Sequence, residues 1–447
     1  MKQLLAYCLS IILCVSFTGC MENYLDLYPE DKITSASFPE NESDIKLLLN
    51  GVYAQLREKE VYNQGLFGFG ITDGATPNAF NWGTDEVFNK LGAGRLSSSD
   101  GGVVTYRWKR CYEIISRANY LLACMDLVDL SEEAKAKYSG ETHFLRGLAY
   151  SVLAETYGGV PIILTNISTE EARSLKRASL EETWQQALDD YEVAITNLGV
   201  DAPEPGRATK GAALGMKMRA YLYQGKYKEV LSCVEQIDAL KKYGLFHSYE
   251  GLFDPANENN KEVLFDIQYI EGENSQGSYI DQYCGTGTGS WTRGSRYVPT
   301  DDLVAAYETI DGSPVDPENP YENRDPRLGF TAVLPGSYFL GYRFPNYLYP
   351  GGAFNHAGNR LKHLSTRKYR IQDESKLPPS GQSYINDIIL RYADVLLSKA
   401  EAIIETNGNV ADAIAILNRI RTERDDVKIS LLPTSMSREE AREKVRH

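Results

Sequence analysis

Apolar positions along this chain recur mostly at the spacing of buried helix faces. Ser43 and Asp44 are placed to cap a helix in which Ile45, Leu48, Leu49, Val52, Tyr53 and Leu56 fall at the i, i+3, i+4, i+7 period. The same period predicts helices over 106–125, 132–157 and 180–198. Two helical hairpins follow, 210–224 with 227–241 and 388–406 with 410–424, broken at Gly225-Lys226 and Asn407-Gly408-Asn409. Segment 224–230 aligns with 407–413, and Ala213, Ala220, Ala400 and Ala402 are small enough to let helices approach closely. Repeated antiparallel helix pairs joined by tight turns predict a mostly α fold, a tetratricopeptide-like helical repeat scaffold. Periodicity alone does not separate such an array from unrelated helical hairpins.

Between the hairpins the pattern changes. Val263, Phe265, Ile267 and Tyr269 alternate as in a short strand, and 278–369 is rich in Gly, Pro and Tyr with no sustained period. So long an irregular stretch set on a rigid scaffold is a usual place for binding.

At the N-terminus Lys2 precedes the apolar run 4–15, which is too short to span a bilayer. Phe17-Thr18-Gly19-Cys20 then leads through small residues to a cysteine, the pattern of a lipoprotein cleavage site. Residues 1–19 are therefore expected to be a signal peptide and Cys20 the lipid attachment point, with ordinary secretion as the alternative. Cys111, Cys124, Cys233 and Cys284 are too few for a disulfide framework. Cys111 and Cys124, about 20 Å apart on one helix, are out of disulfide reach.

A net charge of -14 and a pI near 5.0 argue against nucleic acid, which needs a basic footprint. The run Gly285-Thr286-Gly287-Thr288-Gly289-Ser290 lacks the Lys-Ser/Thr of a P-loop, and there is no HExxH and no nucleophile elbow. A glycosidase needs two carboxylates facing across a cleft, and Asp73, Asp85, Glu86, Asp281, Asp301 and Asp302 are available. With 61 acidic residues such candidates arise by chance, so no residue is assigned a catalytic or metal-ligating role and no cofactor is expected.

Capturing a sugar asks for a flat aromatic face against the ring's C–H side and planar polar groups for its hydroxyls. Trp82, beside Asn81 and Phe80 in a Gly/Asn-rich loop, supplies one such set. Trp291 with Arg293, Tyr283 and Tyr297 supplies a second, and Tyr342, with Tyr347 and Tyr349, a weaker third. Trp108, Trp184 and His143 lie on amphipathic helices, where packing is the expected role.

Several separated segments resemble the SusD/RagB family. They are Tyr24-Leu25-Asp26 with 29–34, Leu49-Asn50-Gly51-Val52-Tyr53, Trp108 with Tyr112 and Asn119, Arg146-Gly147-Leu148-Ala149-Tyr150 leading to Tyr157-Gly158-Gly159-Val160-Pro161, and 390–397 with Asn418-Arg419-Ile420-Arg421. The resemblance runs in order from about residue 20 to 424. It implies one SusD-like domain over 20–447, with tetratricopeptide-like units and an irregular ligand-binding subdomain at about 250–385. It also implies an outer-membrane, surface-facing lipoprotein that is not an enzyme and passes a glycan to a SusC-like TonB-dependent transporter. The same role for a peptide or another nutrient stays open, and a surface glycoside hydrolase is the less favoured alternative. Segment 437–447 reads as a helix that stops part way through the family pattern, so the chain is expected to be incomplete at its C-terminus.

Overall fold

The computed structural model describes residues 38–57, 73–81, 90–97, 99–271, 277–278, 297–344, 364–379 and 382–447. Helix α1, Glu42–Tyr53, is capped by Asn41, whose side chain accepts from the Ser43 and Asp44 N–H groups at 2.9 and 3.2 Å, so the cap lies two residues before the expected one. Strand β1, Ala79–Asn81, precedes α2, Val103–Cys124, and α3, Glu132–Tyr157. The short α4, Thr169–Ser174, leads to α5, Leu180–Asn197, and then to the hairpin α6, Lys210–Tyr223, with α7, Tyr227–Ala239. β2, Val263–Ile267, and β3, Tyr297–Pro299, are followed by α8, Asp301–Ala306, and α9, Pro326–Thr331. Four two-residue strands come next: β4 Ala332–Val333, β5 Tyr338–Phe339, β6 Tyr342–Arg343 and β7 Ser365–Thr366. β8, Asp387–Arg391, runs into α10, Tyr392–Glu405, and α11, Val410–Thr422, and α12, Arg438–Arg446, completes the order.

The helices stack in sequence, α2 on α3, α3 on α5, α5 on α6, α6 on α7, α7 on α10 and α10 on α11, around one main core that includes Leu145, Leu148, Tyr191 and Val234. This is the expected helical repeat scaffold. Ala213, Ala220, Ala400 and Ala402 are all buried, as are Cys111, Cys124 and Cys233, which are free thiols. Trp184 is buried, and Trp108 packs its ring 5.0 Å from Tyr112 and edge-on to Tyr157.

The two hairpin turns match with a shift of one residue from the sequence alignment. Gly225 (φ 68) and Asn407 (φ 60) take the left-handed position, and the next amides, Lys226 and Gly408, bond back to Tyr221 and Ile403. Both are Schellman turns, so Asn407, rather than Gly408, is the counterpart of Gly225.

The scaffold is locked by a buried guanidinium. Arg146 on α3 donates to both carboxylate oxygens of Asp190 on α5, at 2.7 to 3.2 Å, and to Asn119 on α2 at 2.8 Å. Asn119 in turn donates to the Ile163 carbonyl, and Tyr150 donates to that same carbonyl while accepting the Ile163 N–H. Of the glycine pair after α3, Gly158 takes a left-handed φ of 76, and Gly159 is required by space: a Cβ there would lie 2.0 Å from the Ala178 carbonyl oxygen.

The stretch 388–406, read from sequence as one helix, is a strand followed by a helix. Its first residues pair antiparallel with β2, Val263 opposite Arg391 and Ile267 opposite Asp387. Because Leu264, Phe265, Asp266 and Ile267 are all buried, β2 is covered on both faces rather than one. At its foot Glu262, fully buried, accepts from Arg424 at 2.7 Å, Arg391 at 2.9 Å and the Phe246 N–H at 2.7 Å. Burial alone would raise this carboxyl, but the Arg424 and Arg391 guanidiniums hold it below its ordinary value.

Candidate functional site

Three short backbone pairings of the irregular subdomain lie next to the residues singled out from sequence. β1 pairs antiparallel with β3, with Ala79 opposite Pro299, Phe80 opposite Val298 and Asn81 opposite Tyr297. At the foot of this ladder the Thr300 N–H donates to the Asn78 carbonyl at 3.1 Å, and its hydroxyl donates to the Pro77 carbonyl. The same hydroxyl caps α8, accepting the Leu303 N–H at 3.1 Å. Ser278 and Ser383 exchange backbone hydrogen bonds of 2.7 and 3.0 Å. β3 also packs on β7, which pairs with β4.

These anchors bear directly on the residues singled out from sequence. Asn81 and Tyr297 are register partners at one end of the β1–β3 ladder. The chain on to Trp82 therefore departs opposite the point where the chain from Trp291 and Arg293 arrives. Trp82, Tyr283, Trp291 and Arg293 themselves lie outside the described residues, as do Cys20, Tyr347 and Tyr349. Tyr342 belongs to a separate hairpin, β5–β6, opposite Phe339. On that hairpin Tyr338 is 68% exposed with the Arg343 guanidinium 5.9 Å over its ring, a pairing of flat face and planar donor that the sequence reading did not single out. Thr300 was also missed, although Thr followed by two aspartates is a helix-start signature.

Of the acids considered for hydrolysis, Asp301 and Asp302 are exposed in the first turn of α8, Asp85, Glu86 and Asp281 lie outside the described residues, and Asp73 is raised by burial, with Lys368 opposing the shift. Three further carboxyls are perturbed more strongly. Glu258 accepts the Asn386 N–H at 2.8 Å and Asp266 accepts its side-chain amide at 3.1 Å. Burial pushes Glu258 up to about 7 and Asp266 up to about 6, and burial together with Asp73 and Asp266 pushes Asp387 up to about 7. Glu258 and Asp266 line a cavity of about 10 Å³, room for one water, and Asp266 also borders a surface pocket of about 480 Å³ beside Glu204 and Arg207. His143 is half-buried with Nδ1 2.8 Å from the Ser139 carbonyl of its own helix, and among the described residues no cluster of His, Cys, Asp or Glu is arranged to hold a metal ion.

Glu258, Asp266 and Asp387 set a pH dependence. Unfolded, they release protons near pH 4, but folded they keep them to about pH 6 to 7. The folded state therefore binds more protons across that window, and stability falls as pH rises from about 4 to 7. Thermal midpoints should decline over this range, and Asp387→Asn should flatten the decline. Identical slopes for both proteins would show that Asp387 ionises alike in the folded and unfolded chain.

Among the described residues no helix is long and apolar enough to cross a membrane. Residues 261–447 match the family model described as "SusD family", and residues 23–222 match one described as "Starch-binding associating with outer membrane". SusD-like protein P25 of Formosa agariphila is 26% identical over 94% of this chain and 81% of its own length. A SusD-like protein of Bacteroides ovatus is 24% identical over 91% of this chain and 73% of its own. Among solved structures, a SusD-like carbohydrate binding protein from Bacteroides fragilis superposes with a TM-score of 0.79 at 26% identity, covering 91% of this chain and 82% of that one.

Proposed function

The chain belongs to the SusD/RagB family, and we propose on that footing that it captures a glycan at the cell surface and hands it to a SusC-like TonB-dependent transporter. The observation that carries this reading is the β1–β3 ladder, which brings the bases of both aromatic-rich segments to one place. Trp82, Asn81, Tyr283, Trp291, Arg293, Tyr297 and Tyr342 are the proposed ligand contacts. In this reading Cys20 carries the lipid that holds the protein at the outer membrane.

Calorimetry of the purified protein against maltoheptaose and oligosaccharides of xylan, mannan and pectin tests the ligand class. One of them should bind with no product accumulating on long incubation. Binding of peptides alone would keep the transport role and remove the glycan, whereas released sugars would overturn the non-enzymatic reading. For the anchor, Cys20→Ala should move the protein from the membrane to the soluble fraction, and persistence in the pellet would count against a lipid at that position.

A further inference from the structure

The chain leaves β2 through 267–271 and enters β8 through 383–387, and these two stretches run side by side. Ile267 lies opposite Asp387, and the Ser278–Ser383 bridge stands further out. Between those points the tie is a side chain. Asn386, 2% exposed, accepts the Tyr269 N–H on Oδ1 at 2.8 Å, donates its own N–H to Glu258 at 2.8 Å and donates Nδ2 to Asp266 at 3.1 Å. Asp266 takes a second donor, the Gln268 side chain, at 2.6 Å. One residue thus joins the approach to β2, β2 itself, the stretch that leaves it and the stretch that enters β8.

The charges gathered here are of one sign. Asp254, Glu258 and Asp266 line the cavity of about 10 Å³ beside Asn386, and among the described residues no Lys, Arg or His lines it. Asp387 follows on β8, and Asp73 acts on it from the turn before β1. The cations lie further off: Lys368 sits 4.5 Å over the Phe253 ring and opposes the shift of Asp73, and Arg57 acts on Tyr269. Glu262, four residues after Glu258, is the contrasting case, with Arg391 and Arg424 to balance it. A carboxylate between two guanidiniums is tied at any ordinary pH. Two carboxyls that share one uncharged residue hold without mutual repulsion only while one of them keeps its proton. Burial first, and Asp266 and Asp254 after it, keep Glu258 protonated up to about 7.

We infer that Asn386 is the pin of a proton-controlled latch, closed while Glu258 or Asp266 holds a proton and loosened when both are ionised, which fastens the stretch leaving β2 to the stretch entering β8. The latch is a local device, separate from the stability of the helix stack.

Hydrogen exchange read by mass spectrometry at pH 6 and pH 8, with labelling times scaled for the base catalysis of exchange itself, tests this without any ligand. Peptides across 268–271 and 383–390 should lose about tenfold in protection between the two, the factor by which ionising a carboxyl with a folded pKa of about 7 favours an opened state in which it titrates normally. That loss should be indifferent to low urea, since a local opening exposes little surface, whereas protection in the core of α3 should fall as urea is added. Glu258→Gln keeps an acceptor for the Asn386 N–H and has no proton to lose, so it should remove most of the step. Equal scaled protection of the wild type at both pH values, or a step as large in Glu258→Gln as in the wild type, would overturn the latch. Protection at 268–271 and 383–390 that falls with urea as steeply as in α3 would mark an opening of the whole fold and overturn it as well.

Discussion

Glu262→Ala is expected to cost about 3 to 5 kcal/mol of folding stability, because it leaves the Arg391 and Arg424 guanidiniums buried against each other with no counter-charge. Arg424 is 2% exposed and has only the Phe246 carbonyl as a remaining partner in this group, at 2.7 Å. The same carboxylate receives the Phe246 N–H, so the truncation also strands a backbone donor. Glu262→Gln keeps the volume and one acceptor and should lose less. Arg424→Met should lose less again, since it leaves Glu262 paired with Arg391. Chemical denaturation of the three variants gives the order directly. A Glu262→Ala midpoint equal to that of the wild type would mean that water reaches the cluster. Because the folded pKa of Glu262 lies below its unfolded value, its contribution is present above about pH 4 and is lost as pH falls through the folded value.

For capture, the largest effect is expected from the paired tryptophans. Trp82→Ala and Trp291→Ala should each weaken oligosaccharide binding by tenfold or more, about 1 to 3 kcal/mol by analogy with a lost aromatic stacking face, and the double variant should show no binding. Asn81 pairs with Tyr297 in the ladder, and the chain carries Trp82 directly after the one and Trp291 shortly before the other. Melting temperatures should be unchanged in all three, since no helix period calls for either residue. A double variant that binds like the wild type would move the ligand elsewhere, with the exposed Tyr338 and its neighbour Arg343 as the next place to look.

The helices were legible because each buries a stripe at the 3.6-residue period, and that period is local. Residues 388–391 were misread for the same reason: Ile388, Ile389 and Leu390 continue the apolar spacing of α10, and only pairing with the distant β2 makes them a strand. The hairpin turns were aligned one residue off because the alignment set Gly408 against Gly225, whereas Asn407 takes the left-handed position in the second hairpin. The family and the repeat scaffold could be read from ordered motifs. Arg146 stood within one of these, and its role in joining α2, α3 and α5 became visible only with Asn119 and Asp190 beside it. Glu262 was silent in sequence, since nothing around it foretells two arginines arriving from β8 and the end of α11. For the proposed site, the aromatic residues are candidates on composition, and the ladder between their segments was not legible, because β1 and β3 are three residues each and too short for a period.

The backbone pairings on either side of segment 279–296 have an evolutionary side. Segment 279–296 starts after a residue held by Ser383 and ends before one held opposite Asn81. Between fixed ends, doubling the length of a flexible loop costs only about 0.6 kcal/mol in closure entropy. The Arg146 lock and the Glu262 cluster draw their partners from outside that stretch, so rewriting its sequence leaves both networks with the residues that form them.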